Sequence, residues 1–489
     1  MTDSIYSHFD AAKDETLIPF FNSGRTLESR YNPSRDAENL LSTIDKQFNF
    51  FLVLGIGSGI FLEKLSEKFP LAKIIAVENS ESDLLFLQTN FPTKNILNKN
   101  NIILATIKNL NQKLIQNYIP AKYGDLKIIE QRNWIVENQS SISEIKKIIQ
   151  DSLKIIAADF SVQSHFGKIW FSNILNNTKL LSTIHNYNFS FDRTKKALVV
   201  AAGPTLDIKL SEIKKDINKY FIISTDTAFS TLSKNNIKAD IVISLDAQQV
   251  SQNHFYTNSK ETVYAFDLCG NFSAVSHIAD TGGKIFFFIS GHPLSSLINN
   301  LTGKQLPLLQ SGSGTVTIAA LDLAVKLGFS EIKITGADFS YSLGKAYTKG
   351  TYLDNLYNLN SNLLTTSEKS YDHLLYRTDL IKIEDFKYTT CVLDSYKNSL
   401  INYFSENKLN FNFQNDFYNI ISKNDEVISI NKPVFKFNKL LQEIKGLSLS
   451  ELESGLLPYI SWLRKNQNFK DFTLEEFLKL AQSYIVSYN

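Results

Sequence analysis

Apolar positions in this chain fall into short continuous runs, the pattern of strands buried on both faces of a parallel sheet. Phe48 to Leu54 and Lys73 to Val77 are the first two runs, with an amphipathic helix from Ile60 to Lys68 between them. A second, larger set follows at Ala197 to Val200, Tyr220 to Ser224, Asp240 to Leu245, Thr262 to Phe266, Lys284 to Ile289 and Glu331 to Thr335. Helical pattern lies between these runs, including Leu321 to Leu327, so the second set predicts a mostly parallel, doubly wound sheet. Residues 1 to about 45 read as an irregular or helical lead-in, and Asn100 to Asn177 as mixed but mostly helical. Leu393, Tyr396, Leu400 and Phe404 keep helical spacing, and Phe411 to Ile421 reads either way. Phe435 to Asn489 reads as helix broken near Gly446, Gly455 and Pro458.

Glycine punctuates the strand ends. Gly55-Ile56-Gly57-Ser58-Gly59 follows the first strand, and Glu78 closes the second. That β-α-β pattern suits a nucleotide or S-adenosylmethionine site, with glycines for close approach and the acid on ribose hydroxyls; the alternative is a Rossmann-like domain that keeps the shape and binds nothing. Gly203-Pro204-Thr205 follows Ala197 to Val200 and precedes helix-compatible sequence from Leu206. A strand that ends in glycine and opens into a helix makes an anion site, because helix-start amides point outward and the missing Cβ lets a phosphate approach. An ordinary glycine-bearing connection is the other reading. Ser311-Gly312-Ser313-Gly314-Thr315 is a second anion candidate before a helix, or a plain capped start. Asp226, Asp246 and Asp338 fall at strand ends like Gly203, where open α/β sheets bind ligands. The predicted class is therefore α/β. A Rossmann-like N-terminal domain with a helical extension spans 1–165, the doubly wound central domain 166–390, and a helical C-terminal domain 391–489.

Composition narrows the function. A chain of 489 residues exceeds one core. A net charge of +2 gives no basic field for nucleic acid. Two distant cysteines, Cys269 and Cys391, make neither a disulfide framework nor a zinc site. With no signal-peptide pattern and no apolar run of membrane-spanning length, the expectation is a soluble cytoplasmic protein. No P-loop pattern and no D-x-D pair is present, so nothing in the sequence calls for a metal.

After Phe339 the sequence turns polar and tyrosine-rich, with Tyr341, Tyr347, Tyr352, Tyr357, Tyr371 and Tyr376. The segment is long for a plain connection and reads as a lid. His373, its one histidine, is either a general base or a solvated surface residue. In Phe166-Gly167-Lys168-Ile169-Trp170-Phe171-Ser172-Asn173-Ile174-Leu175-Asn176-Asn177, the asparagines read as helix caps or cleft-facing groups.

These motifs in this order resemble the motility-associated factor (Maf) family, bacterial glycosyltransferases that attach nonulosonic acids to flagellin. The resemblance rests on V-L-G-I-G-S-G at Val53 to Gly59, the Phe166 to Asn177 stretch, V-V-A-A-G-P-T-L-D, S-L-D-A from Ser244, and S-G-S-G-T-V-T-I-A-A-L-D-L-A through G-A-D-F. The central domain also resembles bacterial sialyltransferases that use CMP-activated sugars. That resemblance implies donor-nucleotide contacts from Gly203, Pro204, Thr205, Ser311, Gly312, Ser313, Gly314 and Asp338, and the strand-end acids Asp226 and Asp246 are expected to bound the same donor-nucleotide cleft. It also implies that Tyr341 and Tyr347 bond the departing phosphate and that His373 is the base. His254 and His292, which follow central strands, are the further candidates. Many family members place a histidine near the second tyrosine, where this chain has none. The implied reaction is an inverting, metal-independent transfer of a pseudaminic or legionaminic type sugar to Ser/Thr of flagellin, with a CMP-sugar as donor and no cofactor. The central domain also resembles an archaeal enzyme that pyrophosphorylates a hydroxymethylpterin with ATP, so the alternatives are that activity or a non-enzymatic flagellin-binding role.

Overall fold

The structure is a computed structural model. It describes residues 4–45, 48–89, 96–185, 189, 191–312, 314–342, 344–362, 366–422, 427–428, 430, 432–465, 469 and 472–488. Its class is mixed α/β, with parallel sheets and a helical C-terminal region. The chain divides into two compact units. The first comprises Met1–Gly167 and Leu457–Leu478, the second Lys168–Leu456 and Lys479–Asn489.

In the first unit, β1 (Tyr6–Ala11) and β2 (Leu17–Phe21) pair as a hairpin, and a helix follows at Pro33–Ser42. The lead-in is thus built from two strands as well as a helix. β3 (Phe50–Leu54), β4 (Lys73–Glu78), β5 (Ile102–Thr106) and β6 (Leu126–Glu130) form a parallel sheet in the order β5-β4-β3-β6. Two strands therefore lie in the stretch read as mostly helical. Phe50 to Leu54 are fully buried, which accounts for their unbroken apolar run.

The glycine loop after β3 is filled by the chain itself. A Cβ on Gly57 would lie 2.2 Å from Glu28 Oε1, and one on Gly55 would lie 2.8 Å from Trp134. Glu28 Oε1 accepts from the Ser58 amide at 2.5 Å, at the start of the helix Ile60–Lys68, where a ligand anion would otherwise sit. Glu78 is fully buried and accepts from the Ile56 amide (2.7 Å), Trp134 Nε1 (2.7 Å) and Tyr6 Oη (2.9 Å). The carboxylate that the pattern offers to a ribose is thus spent on the fold.

In the second unit, an eight-stranded sheet runs β11-β10-β9-β8-β7-β12-β17-β16. Its members are β7 (Lys196–Val200), β8 (Tyr220–Thr225), β9 (Ile241–Ser244), β10 (Val263–Asp267), β11 (Lys284–Phe288), β12 (Glu331–Thr335), β16 (Asn410–Gln414) and β17 (Phe417–Ile421). β7 to β12 are parallel, and β17 joins β12 antiparallel with Ile334 opposite Tyr418. The ambiguous Phe411 to Ile421 stretch is therefore a strand pair that extends the sheet. β13 (Tyr341–Ser342), β14 (Ile381–Glu384) and β15 (Lys387–Thr389) form a small separate sheet in the polar segment. The C-terminal region is helical at Phe437–Gly446, Leu449–Arg464 and Leu474–Val486. The middle helix passes through Gly455 and Pro458 unbroken. Proline inside a helix costs about 3 kcal/mol, and the near-complete burial of Leu452, Leu456, Ile460 and Leu463 outweighs it at about 1.5–3 kcal/mol each.

The helix Ile142–Thr183 carries the asparagine motif, and in the second unit one of these side chains does serve a helix start: Asn173 Oδ1 accepts from the Phe272 amide (3.3 Å) at the first turn of the helix Phe272–Asp280. Asn173 Nδ2 donates to the carbonyls of Ala247 (3.0 Å) and Cys269 (3.2 Å). Asn177 Nδ2 donates to those of Leu268 (3.0 Å) and Gly270 (2.9 Å). Two amides thus fasten the loops that leave β9 and β10.

Two outcomes follow from these contacts. Asn177→Leu leaves two buried carbonyls unpaired, so the urea midpoint should fall by an amount equal to about 2–4 kcal/mol; an unchanged midpoint would show that the loops hold themselves. Burial pushes the Glu28 and Glu78 carboxyls from their ordinary 4.5 up to about 7. Between those pH values the folded chain binds more protons than the unfolded one. Stability therefore falls as pH rises through that window, by on the order of 3 kcal/mol per carboxyl. Urea unfolding of Glu28→Gln at pH 5 and pH 8 should show a smaller drop than wild type; an equal drop would place the proton elsewhere.

Candidate functional site

β7 and β12 are neighbours in the sheet, yet the chain leaves β7 toward β8 on the other side. The carboxyl ends of β7 and β12 are therefore the topological switch point, where such sheets place ligands. The loops there are closed on each other. The Ala201 amide donates to Thr335 O (2.9 Å) and the Gly203 amide to Gly336 O (2.7 Å). The Thr205 amide donates to Asp338 Oδ2 at 2.8 Å, and the Thr205 hydroxyl to Asp338 Oδ1. A Cβ on Gly203 would meet Gly336 O at 2.5 Å, and one on Gly336 would meet Ala201 O at 2.1 Å. Gly203 thus serves backbone-to-backbone packing, and a larger residue there would disturb this turn before it blocked any ligand. Pro204 lies between, its carbonyl accepting from the Asp207 amide. Burial raises the Asp338 carboxyl above its ordinary range, and the bonds from Thr205 offset part of that rise. The following Phe339 has φ 47°, a strained setting for an aromatic residue, and its carbonyl accepts from Thr389 Oγ1 at 3.0 Å.

The Ser311–Thr315 turn is a separate feature. The Ser311 carbonyl accepts from the Gly314 and Thr315 amides, and Thr315 caps the helix Val316–Lys326. Gly312 (φ 56°) backs onto Ile318 and Ser399, Gly314 is open to solvent, and Ser313 lies outside the described residues.

A third group gathers at the ends of β8 and β9. Asp226 is 3% exposed; its Oδ2 accepts from Ser244 Oγ (2.7 Å) and its Oδ1 from the Thr227 amide (2.7 Å). Asp246 Oδ1 accepts from the Gln248 amide (2.9 Å), which leaves Oδ2 without a protein partner. Burial first, and then the Asp226 charge, raise the Asp246 carboxyl, while His254 draws it down. Burial pushes the Tyr347 hydroxyl up to about 12, with Tyr341, Tyr352, Asp226 and Tyr357 adding to the rise. Tyr352 is raised by burial and by Tyr357, Asp246 and Asp226, and Tyr341 by burial. Asp226, Asp246, Tyr341, Tyr347 and Tyr352 thus share one neighbourhood.

Their hydroxyls set these tyrosines apart from those the fold ties down, a property they share with Tyr357 and Tyr418, which also make no hydroxyl bond to the protein. Tyr6, Tyr118, Tyr264, Tyr371 and Tyr403 each bond a protein group through Oη. Tyr341, Tyr347 and Tyr352 have partly or largely buried rings and no hydrogen bond from the hydroxyl to the protein. The polar segment that carries them is anchored, not a free flap. Thr348 and Lys349 bond the Asp207 carboxylate, the Thr348 amide donates to Ala202 O (2.9 Å), and Ser230 and Thr231 hold the carbonyls of Gly350 and Lys349 (2.8 Å each).

His373 lies exposed on the helix Ser367–Leu375, with no hydrogen bond to the protein. His292 caps the helix Pro293–Leu301 through Nδ1, and burial holds it down to about 4. His254 is buried with its ring edge against Tyr352, centroids 4.6 Å apart. Tyr352 was visible in the sequence only as one tyrosine of six; its place beside Asp246 depends on the anchoring of Thr348 to Gly350. A surface concavity along β12, β17 and β16, lined by Lys196, Lys333 and Asn412 among others, contains none of these residues. Among the described residues no helix is long and apolar enough to cross a membrane, and no group of three or more His, Cys, Asp or Glu is placed to hold a metal.

Residues 169–344, from the asparagine motif through β12, match the family described as 6-hydroxymethylpterin diphosphokinase MptE-like. An uncharacterized protein of Treponema pallidum (strain Nichols) is 30% identical over 141 residues, which is 29% of this chain and 67% of that protein. Two further uncharacterized proteins of the same organism are 34% identical over 135 residues and 28% identical over 194 residues. These matches cover 27% and 38% of this chain, and 48% and 33% of the relatives. The solved structure of the MAf glycosyltransferase from Magnetospirillum magneticum AMB-1 aligns over 99% of this chain and 86% of that one, at 13% identity and a TM-score of 0.44. With two thirds of the first Treponema protein matched at 30% identity, this chain belongs to the same family as that protein.

Proposed function

We propose that the chain is a glycosyltransferase that moves a nonulosonic acid of pseudaminic or legionaminic type from a CMP-activated donor to serine or threonine of flagellin in the cytoplasm. One observation carries the reading: three tyrosine hydroxyls without protein partners gather beside two strand-end carboxylates. Departure of CMP concentrates negative charge on the leaving phosphate, and donors already in place are worth most where that charge develops. A Tyr347 hydroxyl held up to about 12 stays protonated at neutral pH and can donate throughout. Asp246 Oδ2, free of protein partners, is an acceptor for a ribose or sugar hydroxyl. The amides of Gly203 and Thr205 are engaged by Gly336 and Asp338, so on this reading the tyrosines are the main phosphate donors.

The match over residues 169–344 favours a second reading, ATP-dependent pyrophosphoryl transfer to a hydroxymethylpterin. Asp226 and Asp246 would then serve a magnesium–ATP complex instead of sugar hydroxyls. Release of CMP from CMP-pseudaminic acid in the presence of a chelator supports the first reading. Magnesium-dependent release of AMP from ATP with the pterin supports the second.

On the first reading, Tyr347→Phe should lower kcat about 10–100-fold in flagellin glycosylation and leave the donor KM within about threefold, because the lost bond matters most in the transition state. Steady-state kinetics with CMP-pseudaminic acid test this. A rise in KM at constant kcat would make the hydroxyl a ground-state contact only.

A further inference from the structure

We infer that His254 takes the proton from the acceptor hydroxyl. The inference rests on the transferase reading and adds the identity of its base.

His254 stands near the end of the 3-10 turn Gln249–Phe255, which follows β9 and the Asp246 loop. The ring is 8% exposed, and its Nδ1 is fully buried with no hydrogen-bond partner. No bond to the protein is made by the other ring nitrogen either. Leaving a buried polar atom unpaired costs about 1–3 kcal/mol, so native structures retain few, and those that persist ask for an explanation outside packing. The setting supplies one. Tyr352 meets the imidazole edge-on, with 4.6 Å between centroids and 83° between planes, which fixes the ring's orientation. The Asp246 carboxylate is close enough for the two groups to act on each other electrically. A carboxylate beside an imidazole stabilises the imidazolium that proton transfer creates.

The other histidines of the second unit lack this combination. His292 also has a buried nitrogen without a partner, Nε2, but its Nδ1 is committed as a helix cap and its ring packs against Trp170. His277 lies at the surface with Asn258 on its Nε2 at 3.4 Å. His185 and His373 are exposed. Among these described histidines only His254 is buried and free at both ring nitrogens, with a partner-free tyrosine in ring contact and a strand-end acid within electrostatic reach.

The step balances. The acceptor oxygen bonds the anomeric carbon as the bond from that carbon to the phosphate oxygen breaks. The electron pair of the broken bond leaves with CMP. The hydroxyl proton passes to an imidazole nitrogen of His254, and the imidazolium beside Asp246 later releases it to water.

The test uses the full chain with CMP-pseudaminic acid and measures two rates, glycosylation of flagellin and CMP release without flagellin. His254→Ala should lower glycosylation about 10²–10⁴-fold and leave CMP release within threefold of wild type, since water can attack a reactive donor without a base. Millimolar imidazole should restore part of the glycosylation by entering the vacated space. His373→Ala should glycosylate within threefold of wild type. Glycosylation at the wild-type rate by His254→Ala, or its loss in His373→Ala alone, overturns the assignment. If His254→Ala melts at a lower temperature and loses both rates, His254→Asn replaces it. A normal melt with only glycosylation lost supports the base, and loss of both rates together overturns it. A wild-type chain that neither releases CMP nor glycosylates flagellin overturns the transferase reading itself.

Discussion

The second unit depends on the closure of two backbones at one point. Gly203 and Gly336 end the two loops that leave the switch-point strands, and each lies too close to the other loop to carry a Cβ. Once they meet, the Gly203 amide reaches Gly336 O and Thr205 receives the Asp338 carboxylate. This seam fixes the start of the helix Leu206–Lys215, whose Asp207 carboxylate in turn holds Thr348 and Lys349. The anchored segment then delivers Tyr347 and Tyr352 to the ends of β8 and β9. A sheet of eight strands gives the seam a rigid base, because β7 and β12 are buried between neighbours on both sides.

The same device appears in both units. At two of the three helix-start anion positions that the sequence offers, the chain supplies its own carboxylate, Glu28 on the Ser58 amide and Asp338 on the Thr205 amide; the turn at Ser311–Thr315 is closed instead by the Ser311 carbonyl. An internal carboxylate satisfies orphan amides as well as a phosphate does, without waiting for a ligand. The glycines at these two positions then serve packing, and other polar groups are left without protein partners. In the second unit those groups include the hydroxyls of Tyr341, Tyr347 and Tyr352, Asp246 Oδ2 and the His254 ring.

Much of the fold was legible because buried parallel strands write themselves as continuous apolar runs. Ala197 to Val200 and Phe50 to Leu54 could be read on that basis alone, and the acids at 226, 246 and 338 marked strand ends correctly. What escaped depended on partners distant in the chain. Nothing in Glu28's neighbours announces that it will lie on Ser58, thirty residues on. Asn173 does reach a helix start, at the Phe272 amide, but the carbonyls of residues 247 and 268–270 that Asn173 and Asn177 hold are set by tertiary packing. β16 alternates polar and apolar residues, Asn410-Phe411-Asn412-Phe413-Gln414, yet is exposed throughout, and its pairing with β17 makes it an edge strand. Pro458 read as a breaker because its local cost is visible in sequence and the burial that offsets it is not. His254 could be named from the sequence only because it follows a central strand; the missing partners of its ring nitrogens are visible only in the structure.

On the proposed reading, the acid–tyrosine group at the ends of β8 and β9 receives the donor nucleotide while the glycine loop after β3 stays filled by Glu28. Diffraction from crystals soaked in CMP tests it most directly. Density for the nucleotide is expected within hydrogen-bond reach of the Tyr347 hydroxyl and Asp246, with Glu28 still on the Ser58 amide. Nucleotide density over Gly55 to Gly59 with Glu28 displaced, and none beside Tyr347, would contradict it.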